Sequence, residues 1–133
     1  MSQENLNQAY RAADAFSRHD LDAFLAICDP DIELVSRHLK LDGSGHLRGH
    51  EAVRRWWETL LSVYPDFSSE IEHVRDYGDV TIGVQHFRGQ GAGSDARIVQ
   101  TNWPVTRWRR SKAIWWRSCQ NEAEALEAAG LRG

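Results

Sequence analysis

The sequence predicts an α+β fold, in which a cone-shaped, curved antiparallel sheet wraps around N-terminal helices and is followed by a short C-terminal helix. Helical periodicity dominates the first part of the chain, and strand patterns joined by tight turns occupy residues 67–120. Helices grouped ahead of hairpin-connected strands are typical of α+β proteins rather than of doubly wound sheets. The 133 residues fit a single domain, which we expect to span residues 1–133.

The first two predicted elements are amphipathic helices. Apolar residues recur at three- and four-residue steps over residues 6–16, which is the period of one helix face, and Tyr10 falls on that face. Asp20 stands where an N-cap is expected, directly before the apolar stripe of residues 21–27. The segment therefore predicts two helices with a short connection between them.

A strand, a loop and a third helix are predicted next. Residues 29–31 have the composition of a turn, and residues 32–36 follow as a short strand. Residues 38–50 contain glycine and serine and predict a loop. The third helix begins near Gly49 and stops before Pro65, because the residue that precedes a proline disfavours the helical conformation.

The remainder predicts four antiparallel strands and one helix. Gly78 and the sequence Arg110-Ser111-Lys112 mark tight turns, and Asn121 can cap the last helix. The predicted strands cover residues 67–76, 80–88, 98–109 and 113–120, and the helix covers residues 122–129.

Composition excludes several classes of protein. The net charge of −3 and a pI near 6.0 give no general attraction to nucleic acid or to an anionic membrane. The N-terminus lacks the pattern of a secretory signal, and no apolar run approaches the roughly 20 residues that cross a bilayer. Cys28 and Cys119 match no metal or redox spacing, so we interpret them as reduced, buried thiols in a cytoplasmic protein.

Five segments follow one another in a recognisable order: HDLDAFLAICDPDIELV, RGHEAVRRWWETL, PDF, GQGAGS and EALEAAGL. Their order and spacing resemble the nuclear-transport-factor-two-like superfamily and, within it, the SnoaL-like, polyketide cyclase-like branch. The resemblance implies a sheet that wraps a long helix, a pocket in the mouth of the cone, and homodimers that pair through the outer sheet face. It leaves the reaction open, because the superfamily includes cyclases, isomerases, dehydratases and epoxide hydrolases.

The residues that carry proton transfer in the ketosteroid isomerases are not matched. Ser36 stands where those enzymes place an aspartate after the first strand, and residues 102–106 contain no acid where they place a donor. Tyr10 lies about half a turn before their helix tyrosine. The aspartate pair of the epoxide hydrolases is also missing, since the strands after Val80 contain no aspartate before Asp95.

A small set of polar residues is predicted to line the pocket. His86 and His38 are the candidate catalytic residues, because only histidine titrates near neutral pH without help. Strand alternation allows only one of Gln85 and His86 to face inward. The alternative is that His86 is an exposed or hydrogen-bonded strand residue without a catalytic role. The candidate ligand-binding residues are Ser36, Trp57, Gln85, Gln100 and Asn102.

Three histidines in the central loop are a possible set of metal ligands, but we do not expect a metal site there. His38, His46 and His50, with Asp42, match no zinc spacing. We therefore predict neither a metal nor an organic cofactor.

Tryptophan and arginine alternate along the last two predicted strands. This pattern fits a homodimer interface on the outer sheet face, where both residue types are enriched. Nucleic-acid binding is the alternative and predicts steep salt dependence. The residues assigned to the interface are Trp103, Trp115, Trp116, Arg107, Arg109 and Arg117.

The sequence thus leaves two functions open. In the first, the protein binds a small hydrophobic or polyketide-like molecule and transforms it as a cofactor-free cyclase, isomerase or hydrolase. In the second, it is a non-catalytic ligand-binding or dimerisation module. An inward-facing His86 would favour the first, and an outward-facing His86 would favour the second.

Overall fold

A computed structural model describes residues 2–35, 46–91, 93 and 97–131. Within these ranges the chain forms four helices and six strands. In chain order they are α1 (Ser2–Ser17), α2 (Leu21–Ile27), β1 (Cys28–Val35), β2 (His46–Arg48), α3 (Gly49–Val63), β3 (Ser68–Asp76), β4 (Val80–Gln90), β5 (Arg97–Arg109), β6 (Lys112–Cys119) and α4 (Glu122–Ala128).

The strands form one six-stranded sheet in the order β2-β1-β6-β5-β4-β3. The strands from β3 to β6 pair antiparallel with their sequence neighbours, as predicted. β1 lies parallel to β6, so the sheet is mixed rather than wholly antiparallel. A parallel neighbour requires a crossover connection, and here α3 and four strands lie between the two in sequence. The α+β class is confirmed.

The start of β1 corrects one local prediction. Residues 29–31, predicted as a turn, belong to the strand. They occupy an irregularity in which Cys28 pairs with Ala113 while Glu33 already pairs with Trp115. The Asp-Pro-Asp sequence therefore interrupts the pairing without ending the strand. β2, predicted as part of a loop, pairs with the other edge of β1.

Helix caps and turns follow the local sequence. The Asp20 carboxylate accepts a hydrogen bond from the Ala23 amide at 3.1 Å, and the Asn121 side chain accepts one from the Glu124 amide at 2.8 Å. Gly78 has a φ of 86°, which the turn between β3 and β4 requires. These signals operate between near neighbours, and all of them predict the observed ends of elements.

The main core lies between the helices and one face of the sheet. Phe16 of α1 is at its centre, with ring centroids 4.8 Å from Phe67, 5.3 Å from Trp57 and 6.5 Å from Phe87. Tyr10 is not in this core: it is 40% exposed, and its hydroxyl accepts a hydrogen bond from the Val74 amide at 3.0 Å. We call the face of the sheet that packs against the helices the inner face.

The opposite, outer face carries a second and smaller cluster, which α4 covers. Val105 and Cys119 are buried there against Ala125 of α4. Both cysteines are free and buried, as predicted. None of the helices in the described ranges combines the length and the apolar character that a bilayer crossing requires.

Candidate functional site

A cavity opens between the inner face of the sheet and the helices. It offers about 80 Å³ to the centres of water-sized molecules. One water needs about 10–15 Å³ on this measure, so the cavity holds several waters or a small organic molecule. It is lined by Ala9, Ala12, Ala13, Phe16, Phe24, Ile27, Cys28, Ile32, Trp56, Leu60, Ile71, Val74, Thr81, Gly83, Gln85, Phe87, Asn102, Pro104, Thr106, Trp108, Ala113, Trp116 and Ser118.

Strand alternation determines which residues reach the cavity. On β4 every second residue from Thr81 to Phe87 faces it, and on β5 every second residue from Asn102 to Trp108 does so. The two strands are paired in register, with Gln85 opposite Asn102. Their inward side chains therefore form one continuous wall.

The cavity has two chemically different sides. The helical side is apolar, built from three alanines of α1 together with Phe16, Trp56 and Leu60. The sheet side carries neutral amide and hydroxyl groups among its apolar residues. These polar residues are Thr81, Gln85, Asn102, Thr106 and Ser118.

Two of the polar groups on the sheet side are held by hydrogen bonds. The indole Nε1 of Trp108 donates to the Thr81 hydroxyl at 2.9 Å. Gln85 Nε2 donates to the Ser69 hydroxyl at 2.7 Å. Such bonds restrict the side chains to one orientation, so the wall presents its polar atoms at defined places.

The described lining contains no Asp, Glu, His, Lys or Arg. Its ionisable side chain is Cys28, and burial raises the pKa of that thiol to about 12. The thiol is therefore protonated at neutral pH and donates to the Phe24 carbonyl oxygen at 3.4 Å. The described part of the cavity is thus electrically neutral under ordinary conditions.

Gln85, Asn102 and Gln100 belong to the inner face. Gln85 and Asn102 line the cavity, and Asn102 is only 2% exposed. Gln100 is in the same alternation but is not part of the lining. Its amide oxygen is buried and has no hydrogen-bond partner among the described residues. Their ligand-binding roles stay predictions.

His86 faces away from the cavity. It lies on the outer face, where Nε2 is 2.8 Å from a carboxylate oxygen of Glu72 and Nδ1 is 3.1 Å from the Thr101 hydroxyl. Alternation explains the placement, because Gln85 on the same strand faces inward. A catalytic role for His86 stays a prediction, and this geometry does not support one inside the cavity.

Two tryptophans differ from their predicted positions. Trp57 is only 2% exposed and packs on Phe16 and Phe24, so it belongs to the core rather than to the lining. Trp116, assigned to the outer face, points inward and lies with its ring centroid 6.0 Å from that of Trp56. In both cases the tertiary packing, rather than residue type, selects which of two adjacent tryptophans reaches the cavity.

Some lining residues were missed. Thr106 and Trp108 follow Asn102 at two-residue steps, and Thr81 precedes Gln85 at the same spacing. Extending the alternation in both directions from Gln85 and Asn102 would have found all three. No comparable signal identifies the alanines of α1, because small residues on a helix are also common in packed cores.

Most of the predicted residues of the central loop lie outside the described ranges. Ser36, His38 and Asp42 are outside the described residues, and for His46 only the backbone of β2 is described. The imidazole Nε2 of His50 is 2.9 Å from the carbonyl oxygen of Cys28. Across the described ranges no group of three His, Cys, Asp or Glu residues is arranged to hold a metal ion.

Most residues assigned to the dimer interface contact other parts of the same chain, chiefly α4. Arg107 donates to the Ala128 carbonyl oxygen at 3.1 Å and lies 5.4 Å from the ring of Trp115. Arg117 is 3.7 Å from a carboxylate oxygen of Glu124. Arg109 is 3.9 Å from Asp29, and Trp103 packs on the second cluster. A homodimer through this face stays a prediction.

Comparison with known proteins agrees with the fold. Residues 9–117 match the family model of the SnoaL-like domain. No curated protein gives a significant match. An NTF2-like protein of unknown function from Burkholderia pseudomallei has a similar structure, with a TM-score of 0.78, 18% identity, and coverage of 93% of this chain and 95% of that chain.

Two further similar structures carry functional names. A protein from a Jannaschia species, proposed to be a SnoaL-like polyketide cyclase, has a TM-score of 0.77 and 13% identity, with coverage of 99% of this chain and 95% of that chain. AclR of Streptomyces galilaeus, proposed to be a hydroxylase, has a TM-score of 0.71, 16% identity and 98% coverage of both chains. At these identities the likeness concerns the fold alone. Since the family model covers most of the sequence and these folds agree with the observed one, the chain belongs to the SnoaL-like domain family.

Proposed function

We propose that this protein binds a small, uncharged, largely apolar molecule in the cavity. One observation carries the proposal: aromatic and aliphatic side chains form the helical side, while neutral amides and hydroxyls stand on the sheet side. Apolar walls with a few placed polar groups are the usual composition of small-molecule sites. The ligand would turn its polar edge to the sheet and its apolar face to α1 and α3.

The absence of charge in the described lining selects among ligands. A buried ion is costly unless a partner of opposite charge or several hydrogen bonds compensate it. The described cavity residues supply no charged partner. A neutral aromatic or polyketide-like molecule with a hydroxyl or carbonyl group therefore fits better than its carboxylate counterpart.

The described lining supports binding rather than proton transfer. An acid–base catalyst works best with a pKa near the working pH, and Cys28, with its pKa of about 12, does not meet that condition. His86 faces outward, and His38 lies outside the described residues. The non-catalytic alternative is therefore the function that the cavity supports best, ahead of a cofactor-free cyclase, isomerase or hydrolase.

Isothermal titration calorimetry with naphthol and naphthoate tests the proposal. The two probes share a ring system and differ in charge. We expect naphthol to bind and naphthoate to bind at least about tenfold more weakly, as burial of an unpaired charge implies. Ligand binding should also shift the tryptophan fluorescence, because Trp56, Trp108 and Trp116 line the cavity.

A matched pair of variants separates cavity binding from surface binding. Ala13→Leu places a larger side chain in the lining and should weaken naphthol binding at least about tenfold, because the bound ring and the new side chain compete for one space. Ala123→Leu makes the same change on the exposed side of α4 and should leave binding unchanged. Equal binding of both probes, or full affinity in Ala13→Leu, would disprove the proposed site.

A further inference from the structure

Three hydroxyl groups stand together on the sheet side of the cavity. Thr81 of β4, Thr106 of β5 and Ser118 of β6 all belong to its lining. Thr81 and Thr106 are directly opposite each other in the ladder of β4 and β5. Ser118 pairs with Pro104, two residues before Thr106, so it is a diagonal neighbour of Thr106 on the same face. We call these three residues the hydroxyl row.

Strand pairing places Thr106 at the centre of the hydroxyl row. Directly opposite side chains in an antiparallel ladder have Cβ atoms about 5 Å apart, and diagonal neighbours lie about 7–8 Å apart. Thr81 is therefore on one side of Thr106 and Ser118 is on the other. A ligand oxygen in front of Thr106 can bond that hydroxyl and one of its neighbours at the same time.

Two of the three hydroxyls have no protein partner. Thr106 and Ser118 are 8% and 4% exposed, yet neither side chain forms a hydrogen bond within the part of the chain that the structure describes. The unpartnered amide oxygen of Gln100 is completely covered, whereas these two hydroxyl oxygens remain open to the cavity. Buried polar groups normally have a partner, because leaving one without it costs free energy. Both hydroxyls are therefore available to a molecule in the cavity.

The third hydroxyl, that of Thr81, already has a donor and keeps its own proton. Its oxygen accepts the hydrogen bond from Trp108 Nε1 at 2.9 Å. A hydroxyl carries one proton besides its two lone pairs, and among the described residues none accepts the proton of Thr81. The hydroxyl row therefore offers three protons to the cavity.

Two indole rings border the hydroxyl row and favour a neutral acceptor. Trp108 follows Thr106 by two residues on β5, Trp116 is opposite Thr106 on β6, and both line the cavity. Hydrogen bonds are stronger in such apolar surroundings than in water. A carbonyl oxygen has two lone pairs and no proton, so it can accept two of these donors at once. A phenol has to place a proton of its own as well.

We propose that the hydroxyl row is the carbonyl-binding part of the cavity and that the ligand is a flat aromatic ketone. The ketone oxygen accepts hydrogen bonds from Thr106 and from either Thr81 or Ser118, and the rings lie against the alanines of α1. This inference rests on the proposed binding of an uncharged, largely apolar molecule, and it specifies the polar group of that molecule. A carboxylate fits less well, because hydroxyls alone compensate a buried charge poorly.

The affinities of 1-tetralone and tetralin, measured by quenching of tryptophan fluorescence, test the proposal. The two molecules share one bicyclic carbon skeleton, and only tetralone has a carbonyl oxygen. We expect the wild type to bind tetralone about tenfold more tightly, because two hydrogen bonds together change an equilibrium constant by about that factor. Tetralin leaves water more readily, so the comparison is biased against the expected result.

Thr106→Val and Ser118→Ala each remove one hydroxyl with little change of shape. Thr106→Val should weaken tetralone binding about tenfold and leave tetralin binding unchanged, and Ser118→Ala should have a smaller effect of the same kind. The urea midpoint of Thr106→Val should not fall, since that hydroxyl bonds no described protein group. Thr59→Val is the matched control, because its hydroxyl donates to the Arg55 carbonyl oxygen within α3, and it should bind both molecules as the wild type does.

Infrared spectroscopy of bound tetralone reports on the hydrogen bonds directly. The C=O stretching band should lie near its position in water, and in Thr106→Val it should move towards its higher position in cyclohexane. Equal affinity for the two molecules in the wild type, or unchanged tetralone binding in Thr106→Val, would overturn the role of the hydroxyl row. The cavity would remain the binding site in that case if Ala13→Leu weakens both molecules. Binding that Ala13→Leu leaves unchanged would overturn the cavity and the hydroxyl row together.

Discussion

The hydrogen bond between Trp108 and Thr81 provides a sharp test of how the sheet side of the cavity is built. The indole Nε1 donates to the Thr81 hydroxyl at 2.9 Å. Trp108 is 5% exposed and Thr81 is 2% exposed, so both side chains are buried. Valine has nearly the same shape as threonine, and Thr81→Val therefore removes the acceptor while it leaves the packing almost unchanged.

The expected loss is about 2 kcal/mol in the free energy of unfolding. A buried donor that loses its partner costs about 1–3 kcal/mol, whereas a mere change of packing in an isosteric swap costs less. Urea denaturation should show a lower midpoint with an unchanged slope, and Tm should fall by roughly 5–10 °C for a chain of this size. Thr59→Val on α3 is the control and should stay within about 0.5 kcal/mol of the wild type.

A double-mutant cycle isolates the hydrogen bond from the packing. In the Trp108→Phe background the indole N–H is gone, so Thr81→Val should cost at least about 1 kcal/mol less than in the wild type. A loss below about 0.5 kcal/mol for Thr81→Val alone would refute the reasoning. That result would mean that water from the cavity satisfies the indole in place of the hydroxyl.

Two more predictions concern Cys28 and the turn at Ser111. Burial raises the pKa of Cys28 from 9.0 to about 12. The stabilisation by the protonated thiol is therefore complete below about pH 9 and is lost as the pH rises towards 12, by up to about 4 kcal/mol. Urea midpoints measured between about pH 8 and 11 should fall less steeply with pH in Cys28→Ala than in the wild type, and an equal fall would contradict the assignment. Ser111 has a φ of 64°, a backbone angle that glycine adopts without strain, so Ser111→Gly should stabilise the protein by about 0.5–1 kcal/mol. The control Ser62→Gly, within α3, should destabilise it by a similar amount. A loss of stability in Ser111→Gly would show that the backbone of Ser111 is not strained.

Local sequence signals predicted most element boundaries. Asp20 and Asn121 cap the helices that follow them, and Gly78 takes the positive φ of its turn. Each of these outcomes depends on a hydrogen bond or a backbone angle within about four residues. The periods of α1 and α3 and the four hairpin-connected strands are equally local, and they were sufficient for the fold class.

Contacts between distant segments could not be predicted in the same way. The parallel pairing of β1 with β6 joins Glu33 to Trp115, and nothing within either segment specifies the other as its neighbour. The bulge at Glu72 is a similar case, because it exists only in the register of β3 against β4. Without the bulge, Glu72 and His73 would face opposite sides of the sheet.

The candidate sites show the same division between local and tertiary information. Alternation in the sequence requires Gln85 and His86 to face opposite sides of the sheet, and likewise Trp115 and Trp116. Only the tertiary structure decides that Gln85 and Trp116 face the cavity, because that choice depends on which side of the sheet α1 and α3 cover. A strand encodes its two faces through its own residues, but the identity of the inner face is a property of what packs against it.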